Sequence, residues 1–149
     1  PPRSTLFPYT TPSDLKLIRM CLIHDFGEAI TGDIPSFLKT KDHEETEESA
    51  VKALLSALPE PQRGELSKLF VEMDALATTE ARLYKALDKL EAVIQHNESD
   101  ICTWLPLEYE LQQTYAQENA AEFPYLKELR ALMLKDTLKK IEDAKEKQA

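Results

Sequence analysis

His24 and Asp25 stand side by side after the most apolar stretch of the sequence, which contains Leu15, Leu17, Ile18, Met20, Cys21, Leu22 and Ile23. An ionised carboxylate is expensive to bury in such surroundings unless an opposite charge or a metal ion offsets it. Glu28 follows four residues after His24 and three after Asp25, spacings that bring side chains to one side of a helix. Asp33 comes just past Gly32, so four polar groups converge on a short, otherwise oily segment. Imidazole with carboxylates is a borderline-to-hard ligand set. It suits Mn, Fe, Co, Ni, Zn or Mg better than Cu(I) or an iron–sulfur cluster. A further ligand has to come from elsewhere in the chain. Asp88 is the candidate, flanked by Leu87 and Leu90 on a helix whose stripe must face a core. Lys89 is its neighbour, but adjacent helical residues point about 100° apart and pair poorly. Each residue alone has a plainer reading. A His-Asp dipeptide arises by accident, Asp33 can cap the next turn, and Glu28 can be a solvated helix-end charge.

The elements that must position these groups read as helices. The chain has only three glycines among 149 residues, and Leu, Ala, Glu and Lys dominate, a composition that favours helix. Ser13 is the expected N-cap of a helix over 15–29 with Asp14 in its first turn, buried on most sides, ended by Gly32 and Pro35. The acidic half of the stretch 39–48 is expected to open a second helix, with Ala50, Val51, Leu54, Leu55 and Leu58 on one face and Pro59 as its stop. Pro61 suits the first turn of a third, with Leu66, Leu69, Phe70 and Met73 inside. Thr78 or Thr79 caps a long helix to about Asn97, striped by Leu83, Leu87, Leu90 and Ile94. Two more helices are predicted over 106–119 and 124–147. No strand period, internal repeat or linker stands out. The expected organisation is one all-α domain over 1–149, with 1–12 irregular and 13–149 helical.

The net charge of −9 repels nucleic-acid backbones and anionic membranes, so neither is an expected partner. A small phosphate ester remains compatible with such a surface if a cation sits in the site. No apolar run approaches the length of a membrane span. Cys21 and Cys102 are far apart and are read as reduced core thiols of a cytoplasmic protein. His43 and His96 lie in polar surroundings and are expected to be exposed, while Trp104 is read as a packing anchor, with a pocket-lining role as the alternative.

The string Ile23-His24-Asp25-Phe26-Gly27-Glu28-Ala29, followed by Gly32-Asp33-Ile34-Pro35, resembles the HD-domain superfamily of metal-dependent phosphohydrolases. More narrowly it is similar to the 5′-deoxynucleotidase branch. Leu87-Asp88-Lys89-Leu90-Glu91 resembles that branch's second metal-ligand helix, and the turn Leu58-Pro59-Glu60 also fits. The similarity covers nearly everything from about residue 14 to 115, and the combination is specific where any single piece is weak. The resemblance implies an HD-domain helical bundle holding one divalent metal ion, with His24, Asp25 and Asp88 as ligands. It implies Glu28 as the catalytic proton-transfer group, Asp33 as a substrate-binding residue near the sugar, and removal of the 5′-phosphate from a (deoxy)nucleoside monophosphate. Cyclic, ppGpp-like or triphosphate nucleotides are the alternative substrates. A triphosphate would want more cations than Arg19 and Lys39, the nearest in sequence. A catalytically impaired binding module is the non-enzymatic alternative. The family's first ligand is a His upstream of the pair, and no His precedes His24 here; the expectation is that the first helix is missing from this sequence. The resemblance also implies a homodimer, for which the apolar face around Leu126, Leu129 and Met133 is a candidate.

Overall fold

The computed structural model describes residues 11–35 and 37–146. Every regular element among them is helical. They group into two compact units, Pro1–Ala81 and Arg82–Ala149.

In the first unit, α1 (Pro12–Ile23) starts two residues earlier than Ser13 would place it. Thr11 is the N-cap: its hydroxyl accepts from the Asp14 N–H at 3.2 Å, and the Asp14 carboxylate accepts from the Thr11 N–H at 2.7 Å. Pro12 occupies the first helical position, where its missing N–H costs nothing. The remainder of the expected irregular segment, 1–10, lies outside the described residues. The expected continuous helix over 15–29 is broken. After Ile23 the chain tightens into a 3-10 turn, His24–Phe26, and resumes as α2 (Glu28–Thr31). The break has a local cause. The His24 ring bonds the Cys21 carbonyl at 2.8 Å, the acceptor that the Asp25 N–H would use in a continuing α-helix. Nor is the segment buried on most sides: Met20 and Ile23 are buried, whereas Leu15, Ile18 and Leu22 are exposed.

Gly32 ends α2 at φ 82°, ψ 154°, a region open essentially to glycine alone. Next comes α3 (Lys41–Ser56), with a reciprocal cap between Thr40 and His43. Then α4 runs over Gln62–Ala75. Met20, Ile23, Ala50, Leu55, Leu69 and Met73 are buried, and Phe26 packs on Phe70 with ring centroids 6.4 Å apart. Lys16 bridges to Glu72 at 2.6 Å and to Glu80 at 3.5 Å.

Thr78 caps α5 (Thr79–Glu98) through the Ala81 N–H at 3.2 Å, and the boundary between the units falls just inside this helix. In the second unit the helix expected over 106–119 is split into α6 (Glu108–Thr114) and α7 (Gln117–Ala121), followed by α8 (Pro124–Glu146). The split turns on Ala116, a buried residue at φ 65°, and on Arg130. The Arg130 guanidinium donates to the Tyr115 carbonyl at 2.8 Å and the Gln112 carbonyl at 2.9 Å. These acceptors become available where α6 stops. Ala86, Leu90, Val93, Ala116, Ala120, Leu126 and Met133 form the core, with Leu129 packed against it. The face around Leu126, Leu129 and Met133 is thus spent inside this unit, because these side chains fill the space beside α5 and α7, and it is not a surface for a second copy.

Trp104 is buried and anchored, its indole N–H donating to the His96 carbonyl at 3.2 Å and to Ser99 Oγ at 3.1 Å. The packing reading of Trp104 therefore holds. His96 is half-buried against that ring, centroids 4.4 Å apart, and not exposed; His43 is exposed as expected. Both cysteines are free, but Cys102 is exposed, so it is no core thiol. No described helix is long and apolar enough to cross a membrane.

Candidate metal and catalytic site

The His-Asp pair sits on the tight turn between α1 and α2. Asp25 has φ −92° and ψ 16°, the bridge region where many active-site residues are found. His24 Nε2 lies 3.1 Å from Asp25 Oδ1, while His24 Nδ1 is 2.8 Å from the Cys21 carbonyl. A carbonyl only accepts, so Nδ1 carries the hydrogen. In the neutral ring this directs the Nε2 lone pair toward the side on which the Asp25 carboxylate stands. A backbone carbonyl that fixes the tautomer is the usual support of a metal-binding imidazole. Two ligands each about 2.1 Å from one ion, at roughly a right angle, are about 3 Å apart, which the 3.1 Å separation matches. The donor set of the pair therefore fits a divalent cation. Among the described residues no group of three or more His, Cys, Asp and Glu side chains could by itself hold a metal ion.

Asp25, expected to be a buried charge, is not one. Its side chain is 59% exposed against 23% for His24, because the 3-10 turn rotates it out of the apolar face that a straight helix would have given it.

Glu28 does not join the pair. It faces Lys39, whose Nζ is 2.9 Å from Glu28 Oε1 and 2.9 Å from Glu47 Oε2. Burial alone would push the Lys39 ammonium down, but the hydrogen bonds to Glu28 and Glu47 outweigh it and hold the group well above the ordinary lysine value. Lys39 is therefore a cation at any working pH. Glu47 belongs to an acidic run that reads as solvated, yet it lies in phase with Ala50, Val51 and Leu54 on the inward face of α3. That phase is the signal by which it was findable. Gly27 makes the approach possible: a Cβ there would stand 2.4 Å from Glu47 Cγ and 3.1 Å from the Glu47 carbonyl oxygen. Gly27→Ala is expected to destabilise the protein by about 1–3 kcal/mol, seen as a lower thermal midpoint. An unchanged midpoint would show that α3 shifts aside without cost.

Asp33 is exposed, immediately after Gly32. Asp88 belongs to the second unit, where Lys85 Nζ lies 2.7 Å from its Oδ2. The partner is thus one helical turn earlier and not the adjacent Lys89, which lies over the Tyr115 ring. Burial opposes the Lys85 charge, and the bond to Asp88 outweighs it, so its pKa is raised. Arg19 pairs with Glu65 at 3.0 Å.

A family model described as HD domain matches residues 5–130. The chain is 35% identical over 85 residues to 5′-deoxynucleotidase HDDC2 of Mus musculus, covering 56% of this chain and 43% of that protein. It is 34% identical over 85 residues to 5′-deoxynucleotidase HDDC2 of Homo sapiens, covering 56% and 42%. It is 29% identical over 86 residues to 5′-deoxynucleotidase hdd1 of Schizosaccharomyces pombe, covering 54% and 43%. The matched part spans less than half the length of these curated relatives. No solved structure matches the chain.

Proposed function

The chain belongs to the HD-domain family, and from that premise we propose that it carries the core of a divalent-metal-dependent phosphohydrolase that removes the 5′-phosphate from deoxynucleoside monophosphates. The observation that carries this reading is the pair itself, with its Nε2-to-Oδ1 separation of 3.1 Å and its tautomer set by the Cys21 carbonyl. The relatives named as 5′-deoxynucleotidases support the substrate class.

His24 and Asp25 would hold the ion, and Asp88 is proposed as a further ligand on the sequence resemblance. A divalent ion, when bound, supplies positive charge against the phosphoryl oxygens as negative charge builds there. The chain's own part is then to orient and to move a proton. Glu28 Oε1 is engaged by Lys39, which leaves Oε2 to accept a proton from the attacking water. Asp33, which is exposed, is proposed on the sequence resemblance to accept a hydrogen bond from a hydroxyl of the sugar. The two cations nearest in sequence, Lys39 and Arg19, are already matched to carboxylates of their own unit, which favours a monophosphate over a triphosphate. We read residues 1–149 as one domain, because the family match crosses the boundary between the units, and we propose a cytoplasmic location and a homodimer that uses a surface other than the Leu126, Leu129 and Met133 face.

The test is phosphate release from dAMP, dGMP, dCMP, dTMP and dUMP by the protein in its complete coding context, with Mn, Co, Fe, Ni, Zn or Mg added and with chelator. Metal-dependent release from the monophosphates is expected. Turnover unaffected by chelation, or confined to cyclic or triphosphate nucleotides, would overturn the assignment.

A further inference from the structure

We propose that Lys39 and Glu47 are positioning residues for the Glu28 carboxylate, an assignment that rests on the reading of Glu28 given above. Three side chains from three places meet here: Glu28 on α2, Lys39 on the connection between α2 and α3, and Glu47 on α3. Their side chains are only 19%, 25% and 23% exposed. One ammonium serves two carboxylates at 2.9 Å each. Such an arrangement does two things that a single ion pair would not.

The first is orientation. Lys39 is itself held from the far side by Glu47, so it cannot follow Glu28 through its rotamers. Glu47 is wedged in turn against the Gly27 backbone, where even a methyl group would collide with its Cγ. A carboxylate fixed through Oε1 presents Oε2 in one direction. The second is charge. One ammonium stands against two carboxylates at 2.9 Å each, so the formal charge of the cluster is negative and it offers no free cation to a phosphate. The lysine here is a support for the base and not a binder of phosphate.

The experiment compares the complete protein with Lys39→Met, Lys39→Arg, Glu47→Ala, Glu28→Gln and the Lys39→Met/Glu28→Gln double variant, measuring kcat, KM and the thermal midpoint. Lys39→Met is expected to lower kcat by about 10- to 100-fold, the scale of a misplaced catalytic group, with KM nearly unchanged. Glu47→Ala lowers kcat in the same direction by a smaller factor. Lys39→Arg, which keeps the charge and can still span two carboxylates, recovers much of the loss. In the Glu28→Gln background, Lys39→Met has no further effect on kcat, because the group it positions is gone. A merely structural role would lower the midpoint and act equally in both backgrounds, which overturns the assignment. A raised KM with kcat unchanged also overturns it, since Lys39 would then be touching substrate. A parent without turnover defeats the hydrolase reading and this assignment together. An active parent whose Lys39 and Glu47 variants match it defeats this assignment alone.

Discussion

His24→Ala is expected to abolish divalent-ion binding and to lower phosphate release by at least a factor on the order of 10³, since even groups that only support a metal ligand are worth about 10- to 100-fold. The loss follows from geometry. Nδ1 is committed to the Cys21 carbonyl at 2.8 Å, so Nε2 is the ring's one coordinating atom, and it points to the side where Asp25 Oδ1 stands 3.1 Å away. Alanine also releases the Cys21 carbonyl, which allows α1 to run on by part of a turn. His24→Asn is therefore the useful companion, because it can keep a bond to that carbonyl while removing the imidazole. Both variants should fail in direct metal titration of the purified protein and in phosphate release, while the far-ultraviolet circular dichroism of the metal-free protein stays as in the parent. Retention of activity within tenfold in both would mean that the pair is a helix-ending device and nothing more.

Arg130→Ala should produce the largest loss of stability of any single polar substitution in the second unit, about 3 kcal/mol from two charge-assisted hydrogen bonds and the acceptors they leave behind. Arg130 is 3% exposed, and burial pushes its guanidinium below the ordinary arginine value. Its Nη1 has no hydrogen-bond partner among the described residues. The charge is thus costly to keep there, and the return is local. The Tyr115 and Gln112 carbonyls, left without helical donors where α6 ends and α7 begins, are satisfied from α8. At this chain length, 3 kcal/mol corresponds to a fall of roughly 10 °C in thermal midpoint. Arg130→Met refills the volume but not the hydrogen bonds, so it should recover only part of the loss. If Met matches or exceeds the parent, the guanidinium contributes only through its methylenes, as happens when an apolar side chain replaces a buried ion.

Helix ends are where local sequence and observed fold part company. Gly32 was readable as a stop, and it is one, at a φ that L side chains rarely adopt. The break after Ile23 was not readable. Nothing in the apolar run signals it, because its cause is a side chain capturing a backbone carbonyl. Likewise, no glycine or proline marks the interruption at Ala116. It depends on an arginine 14 residues further on (130 − 116), and periodicity within either helix carries no trace of that partnership.

Legible in the letters alone were the helical class, the cap at Thr78, the stop at Gly32, the apolar faces of α3 and α4, and on α5 the inward Leu83, Leu87 and Leu90, whereas Ile94, expected on that stripe, is exposed and Val93 is buried in its stead. These depend on side-chain type and local spacing, which act within a turn or two. Packing alone settles that Asp25 is exposed, that Glu28 bonds Lys39, which Glu47 shares, and that Leu126 and Met133 fill their own unit's core. Those outcomes depend on which helix faces another at a few ångströms. A missing Cβ at Gly27 settles one such approach, and a chain of letters does not express it.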